Sequence, residues 1–288
     1  EKHHIEKRQQ LIAILITILD EKIKKLLGVI TSNSRYLELK SLWLSLHQLT
    51  FLAPNSNSTN KTKVKLLNCS WSNLKRSLIR AADIEQNDFY KLIYRNEFDT
   101  PGGEPFGIIV SDFYIAADQK QSTITTDIEA LKSLSQICAA AFSPFILGVA
   151  PNFFGVDKFS QLANITNLSE YFSHPQRKSW QQLRMMEDSR FIGLVLPSIL
   201  LRKERENTQR GYENLFKTQN NDLWGNASFT FASVVINSFV EYGWFSDIRG
   251  YSGTKSLKGL VSHSLEWFHS SDTYLRNSFS NLDLVLSD

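Results

Sequence analysis

The segment Phe106-Gly-Ile-Ile-Val-Ser-Asp112 is apolar without alternation. A strand with one face in water alternates apolar and polar residues. A continuous run therefore calls for a strand covered on both faces, as in a parallel sheet. Phe145–Val149 repeats this pattern, and so does Phe191–Leu196, which Pro197 stops. Between the first two runs, Ile128, Leu131, Leu134, Cys138 and Ala141 recur at helical spacing, predicting a helix over Asp127–Phe142. Apolar strands alternating with amphipathic helices define the class as α/β, a three-layer domain with a mainly parallel or mixed sheet. Further elements fit around this frame: a short strand at Val64, Leu66 and Leu67, and a helix carrying Trp71, Leu74 and Leu78. Helices over Glu85–Tyr94 and Gln176–Asp188 follow, then a long helix Asn226–Tyr242 leading into a strand at Phe245–Ile248.

The first fifty residues read differently. Ile12, Ile16, Leu19, Ile23, Leu26 and Ile30 form a heptad seam on a helix predicted over Glu6–Ile30, and Leu11, Leu15 and Ile18 widen it. So much apolar surface needs a cover, supplied either by the same chain or by another one. A second helix is expected over Arg35–Thr50, with Leu39, Leu42, Leu46 and Leu49 in register. Pro54 and an Asn/Ser/Thr tract then form a polar linker. The expected organisation is an N-terminal helical arm at 1–53, a linker at 54–62, an α/β domain at 63–250, and the start of a further, incomplete domain at 251–288.

Composition narrows the function. The 288 residues carry 32 Lys+Arg against 29 Asp+Glu, a net charge of +3, which disfavours a nucleic-acid binder. Cys69 and Cys138 have no metal-ligand spacing and are expected as free thiols in a reducing cytoplasm. The longest apolar run, Leu11–Leu19, is too short for membrane insertion, so the chain is expected to be soluble. Gly250-Tyr-Ser-Gly253 misses the nucleophile-elbow pattern, because Thr254 stands where the last glycine belongs. His263, His269 and Asp272 share no register that would make a metal site. Thr100-Pro-Gly-Gly-Glu-Pro-Phe-Gly107 lacks a following Lys-Ser/Thr and leads into a strand, so it reads as a tight turn and not as a phosphate loop. No catalytic residue, cofactor or metal is expected.

The same turn carries a resemblance. Glu97-Phe-Asp-Thr-Pro-Gly-Gly-Glu-Pro-Phe-Gly107, continuing to Val110-Ser-Asp-Phe113, resembles the signature of the large sheath subunit of type VI secretion systems, the TssC/VipB/IglB family. Similar stretches follow in the same order: Phe142-Ser-Pro-Phe145, Trp180 with Glu187-Asp-Ser-Arg190, and Gly193-Leu-Val-Leu-Pro197. Then come Leu223-Trp-Gly-Asn-Ala227, Glu241-Tyr-Gly-Trp244 and Ile248-Arg-Gly250. Arg202-Lys-Glu-Arg-Glu206 departs from the family's Pro-Tyr-Gly stretch, and the family's chains continue beyond the point where this one stops.

The resemblance implies a structural protein of the bacterial cytoplasm. It would pair with a small sheath subunit of the TssB/VipA/IglA kind and polymerise with copies of itself into a helical tube around an inner-tube protein. Contraction would then deliver effectors, and a disassembling ATPase would act through the small subunit. The alternative is a non-polymerising scaffold or adaptor that forms a simple heterodimer; a hydrolase or nucleotide-binding enzyme is a third reading. On the sheath reading Ile12, Leu15, Ile16, Leu19, Ile23 and Leu26 form a partner interface. Gly102, Gly103, Glu104, Pro105, Arg190, Trp224, Trp244 and Arg249 take structural roles. Gly102 and Gly103 would shape the turn, Glu104 would pair with Arg190 or Arg249, and Trp224 and Trp244 would anchor the long helix.

Overall fold

A computed structural model describes residues 2–52, 62–81, 83–116, 121–164, 168–202, 223–246, 248 and 264–265. The chain divides into two compact units, Glu1–Leu44 with Leu200–Gly225, and Ser45–Ile199 with Asn226–Asp288. The first holds α1 (Lys2–Thr31) and most of α2 (Ser34–Leu52), and the boundary falls inside α2. Both helices run slightly beyond their predicted ends. In the same unit β4 (Ile199–Arg202) pairs with β5 (Leu223–Gly225), and a Cβ on Gly225 would stand 2.4 Å from Leu201.

The second unit is built on a parallel sheet of order β1-β2-β3: β1 (Ile109–Ile115), β2 (Phe145–Val149) and β3 (Ile192–Val195). The protein is thus of mixed α/β type with a helical N-terminus, as the apolar runs predict, and β2 is buried along its whole length. Its Phe145, Leu147 and Val149 join one core with Leu74 and Leu78 of α3 (Trp71–Arg80) and Leu131, Leu134 and Cys138 of α5 (Gln121–Ala140). Ser70 caps α3 by accepting from Asn73 N–H, and Lys75 reaches across to Asp127 at 2.7 Å.

Three predicted elements come out otherwise. Val64, Leu66 and Leu67 lie in an irregular, exposed segment instead of a strand, because no neighbouring strand accepts their backbone. The Glu85–Tyr94 helix is broken into a 3₁₀ turn (Ile84–Gln86), the short α4 (Asp88–Tyr90) and a π-helical stretch (Lys91–Phe98). There Tyr90, Tyr94 and Phe98 stack at 4.9 and 5.3 Å. The Phe245–Ile248 strand is irregular at its described residues. Boundaries move elsewhere. β1 starts three residues later than the apolar run and includes Phe113–Ile115. The polar helix shortens to α7 (Lys178–Met185), after the one-and-a-half turns of α6 (Leu168–Ser173).

One irregularity organises the sheet. Ile109 pairs with Phe145 and Ile115 with Val149, so the seven residues of β1 run beside the five of β2, with the register shift between Val110 and Tyr114. The bulged residues leave the ladder, and α8 (Ala227–Tyr242) supplies what it lacks. Asn226, buried at the N-cap of α8, donates Nδ2 to Phe113 O at 3.2 Å while its Oδ1 accepts Ser228 N–H at 3.0 Å. Ser228 Oγ donates to Ser111 O at 2.6 Å, and Ser111 Oγ donates to Ile146 O at 3.1 Å. Gly148 makes room, since a Cβ there would stand 2.6 Å from Asn226 Oδ1. Replacing Asn226 by Ala removes a cap and leaves the half-buried Phe113 carbonyl without this donor, at a cost of about 2 kcal/mol. Gly148→Ala should cost a similar amount in the native background and much less beside Asn226→Ala, measured by urea unfolding as a double-mutant cycle.

Candidate interaction site

The motif residues gather at one end of the sheet. The Glu97–Gly107 turn enters β1, Phe142-Ser-Pro enters β2, and Glu187–Phe191 enters β3, so all three lie at the strands' N-terminal ends. Thr100-Pro-Gly-Gly103 is a tight turn closed by Gly103 N–H on Thr100 O at 2.9 Å, with Gly102 at φ +85° as a type II turn requires. A Cβ on Gly103 would collide with Glu97 O at 2.3 Å, so the turn packs backbone against backbone. Thr100 Oγ1 donates to Arg95 O at 2.6 Å and ties the turn to the π-helical stretch.

Glu104 does not meet Arg190. It accepts from Lys63 Nζ, while Glu97 accepts from Lys65 Nζ at 2.6 Å and from Glu104 N–H at 3.1 Å. Lys65 lies 5.2 Å from the Phe106 ring centroid. Arg190 pairs within its own turn with Glu187 at 3.0 Å, and both are exposed. Arg249 lies outside the described residues. A long cation is placed by what its own segment can reach, and Lys63 and Lys65 belong to the irregular segment before α3. The Lys65 hydrogen bond, followed by the Glu104 N–H, holds the Glu97 carboxyl below its ordinary range; the bond from Lys63 does the same for Glu104.

Phe142 holds φ at +55° and is 75% exposed, its ring edge-on to Phe191 at 5.5 Å. A bulky residue there is strained, and Ser143 shows why the turn persists. Its hydroxyl is fully buried and donates to Phe106 O, while Pro144 O accepts Ile109 N–H at 2.8 Å, so the turns entering β1 and β2 are stitched together. Trp244 does not anchor α8: it is 71% exposed and lies against Phe245. The anchor is Phe245, which packs 3.2 Å from where a Gly107 Cβ would be, after Gly243 ends α8 at φ +71°. Trp224 is half-buried in β5, and Pro105 follows the paired Glu104.

On α1 the apolar side chains have no cover among the described residues. Ile12, Leu15, Ile16, Leu19, Ile23 and Leu26 range from 38% to 66% exposed. Leu11, Ile14, Ile18, Val29 and Ile30 are exposed too, so the apolar surface runs round the helix. No described helix is long and apolar enough to cross a membrane. Among the described residues no three His, Cys, Asp or Glu side chains gather as metal ligands. In the sequence Asn226 and Ser111 stand only as motif residues, Asn226 at a helix start where an N-cap is expected, and the isolated glycine Gly148 inside an apolar strand marks a close backbone approach.

The described residues thus form a helical N-terminus and a mixed α/β body in which the marked residues build turns, caps and clamps. The sequence model of VipB (EvpB/VC_A0108, tail sheath N-terminal domain) matches residues 13–283. The chain is 30% identical over 259 residues to the type VI secretion system sheath protein TssC1 of Pseudomonas aeruginosa, an alignment that covers 87% of this chain and 50% of that protein. The chain belongs to the VipB family of type VI secretion sheath proteins. It spans half the length of the curated relative it matches.

The Glu97 carboxyl should titrate below a free glutamate by side-chain NMR, and Lys65→Met should move its midpoint upward. A lowered folded-state value means that the pair contributes stability above the unfolded-state value, and that this contribution is lost as pH falls through the folded-state one. Wild type and Lys65→Met should therefore differ most near neutral pH and converge in acid.

Proposed function

We propose that the chain is the N-terminal portion of a large sheath subunit that pairs with a small sheath subunit through α1. The resulting heterodimers polymerise helically around an inner tube in the bacterial cytoplasm and contract to drive secretion. A disassembling ATPase would act through the small subunit. In this reading residues 1–53 are the arm and the α/β body is a three-layer domain carried as a rigid unit. It takes no part in catalysis and binds no cofactor or nucleic acid.

The observation that carries the reading is α1. Its apolar surface has no cover among the described residues, and a surface of that kind calls for burial against another chain. Family membership names the kind of assembly such a surface serves. Contacts that do not close on themselves generate helical filaments, which suits a body whose marked residues build shape and not chemistry.

The full-length protein co-expressed with its small subunit should give long hollow tubes with a regular helical surface by negative-stain electron microscopy. Discrete particles over a range of salt and concentration would favour the adaptor reading. Ile16→Asp with Leu19→Asp should abolish co-purification of the small subunit while the α/β body keeps its unfolding transition; retained co-purification would move the interface away from α1.

A further inference from the structure

The segment between α2 and α3 is held to the body in an unusual way. From Lys63 to Asn68 every residue is exposed, and among the described residues none of positions 63–69 makes a backbone–backbone hydrogen bond. Its described polar attachments to the body are made by two side chains. Lys63 pairs with Glu104, and Lys65 pairs with Glu97 at 2.6 Å, reaches Glu104 at 4.0 Å and lies over Phe106. Both acceptors belong to the Glu97–Gly107 turn, which is rigid for reasons of its own: a type II turn, a backbone contact at Gly103, and a hydrogen bond to the π-helical stretch. The turn is therefore a fixed double receptor for two lysines two residues apart on an otherwise unattached strip of chain. Beyond the lysines, Cys69 packs partly against the core.

A segment whose polar attachment is made of ion pairs has a distinct physical character. Such exposed pairs are weak one at a time and screened by salt, whereas backbone ladders are neither. We infer that residues 63–69 form a releasable strap, clasped to the Glu97–Gly107 turn by Lys63 and Lys65 and freed when those two pairs are screened or taken over by other charges. Released, these residues can extend to about 23 Å and lengthen the connection between α2 and α3. What the strap serves rests on the sheath reading: subunit bodies that change position while their arms stay engaged need a tether of adjustable length. The strap itself does not depend on that reading.

Cys69 provides the measurement. Cys138 is buried, and burial pushes its thiol up to about 12, so a neutral alkylating reagent at neutral pH reads Cys69, with mass spectrometry confirming the site. In the intact chain, alkylation of Cys69 by iodoacetamide should speed up about fivefold between about 20 mM and about 0.5 M sodium chloride. Glu97→Gln with Glu104→Gln should give the fast rate already at low salt and abolish the dependence. Glutamine at 97 still accepts the Glu104 N–H, so the turn is preserved. Lys91→Met, which removes the exposed Lys91–Asp88 pair elsewhere, should behave as wild type. A rate independent of salt in the wild type, or salt dependence that survives in the double Gln variant, would overturn the strap. Either result leaves tube formation by the full-length protein as a separate question.

Discussion

The sheet depends on a mismatch in length between two adjacent strands. β1 carries more residues than the stretch of β2 it accompanies, and backbone groups that miss the ladder must find other partners or carry the cost of burial. Asn226 and Ser228 meet that demand from the first turn of α8, and Gly148 opens the gap they enter. The consequence runs in both directions. The bulge gives α8 a polar docking point that apolar packing would leave free to slide, and the N-cap of α8 fixes the bulge. Val110-Ser-Asp-Phe113 and Leu223-Trp-Gly-Asn-Ala227, far apart in sequence, are thus two halves of one contact.

A similar economy holds at the other end of the strands. Ser143 bonds the turn before β2 to the turn before β1, Gly107 receives Phe245 from beyond α8, and Glu97 and Glu104 receive two lysines from the segment before α3. Every motif that marks the family on the body, so far as the described residues reach, fixes the geometry of a turn or a contact between elements. Hydrogen bonds and close backbone approaches of this kind contribute modestly one at a time. Their value lies in rigidity, because each removes an alternative conformation from a turn or a contact.

The sequence was informative where a pattern extends over several residues. Two faces of apolar cover turned Phe145–Val149 into a buried strand, and the three-four rhythm from Ile128 to Ala141 marked α5. It was misleading where one residue's partner lies far along the chain. Glu104 has several cations within sequence reach of a guess, and only the path of residues 62–69 selects Lys63. Trp244 looked like an anchor because large aromatic residues usually are, yet the space beside Gly107 is taken by Phe245. The strand expected at Val64–Leu67 failed for a related reason: strand propensity describes how side chains fit a pleated surface, and only a neighbour makes such a segment a strand.

These two kinds of failure bear on how the molecule divides its work. The body is specified by long-range contacts that a linear reading misses but that, once formed, leave little freedom. The arm is the reverse case. Its heptad is legible from Ile12 to Ile30, and the described residues leave those side chains exposed. Between the two, residues 63–69 carry strand-like side chains with no described strand beside them, and their described polar contacts with the body are the Lys63 and Lys65 ion pairs. A pattern in the sequence becomes an element only where a neighbour completes it, and along this chain the body is where the described neighbours do so.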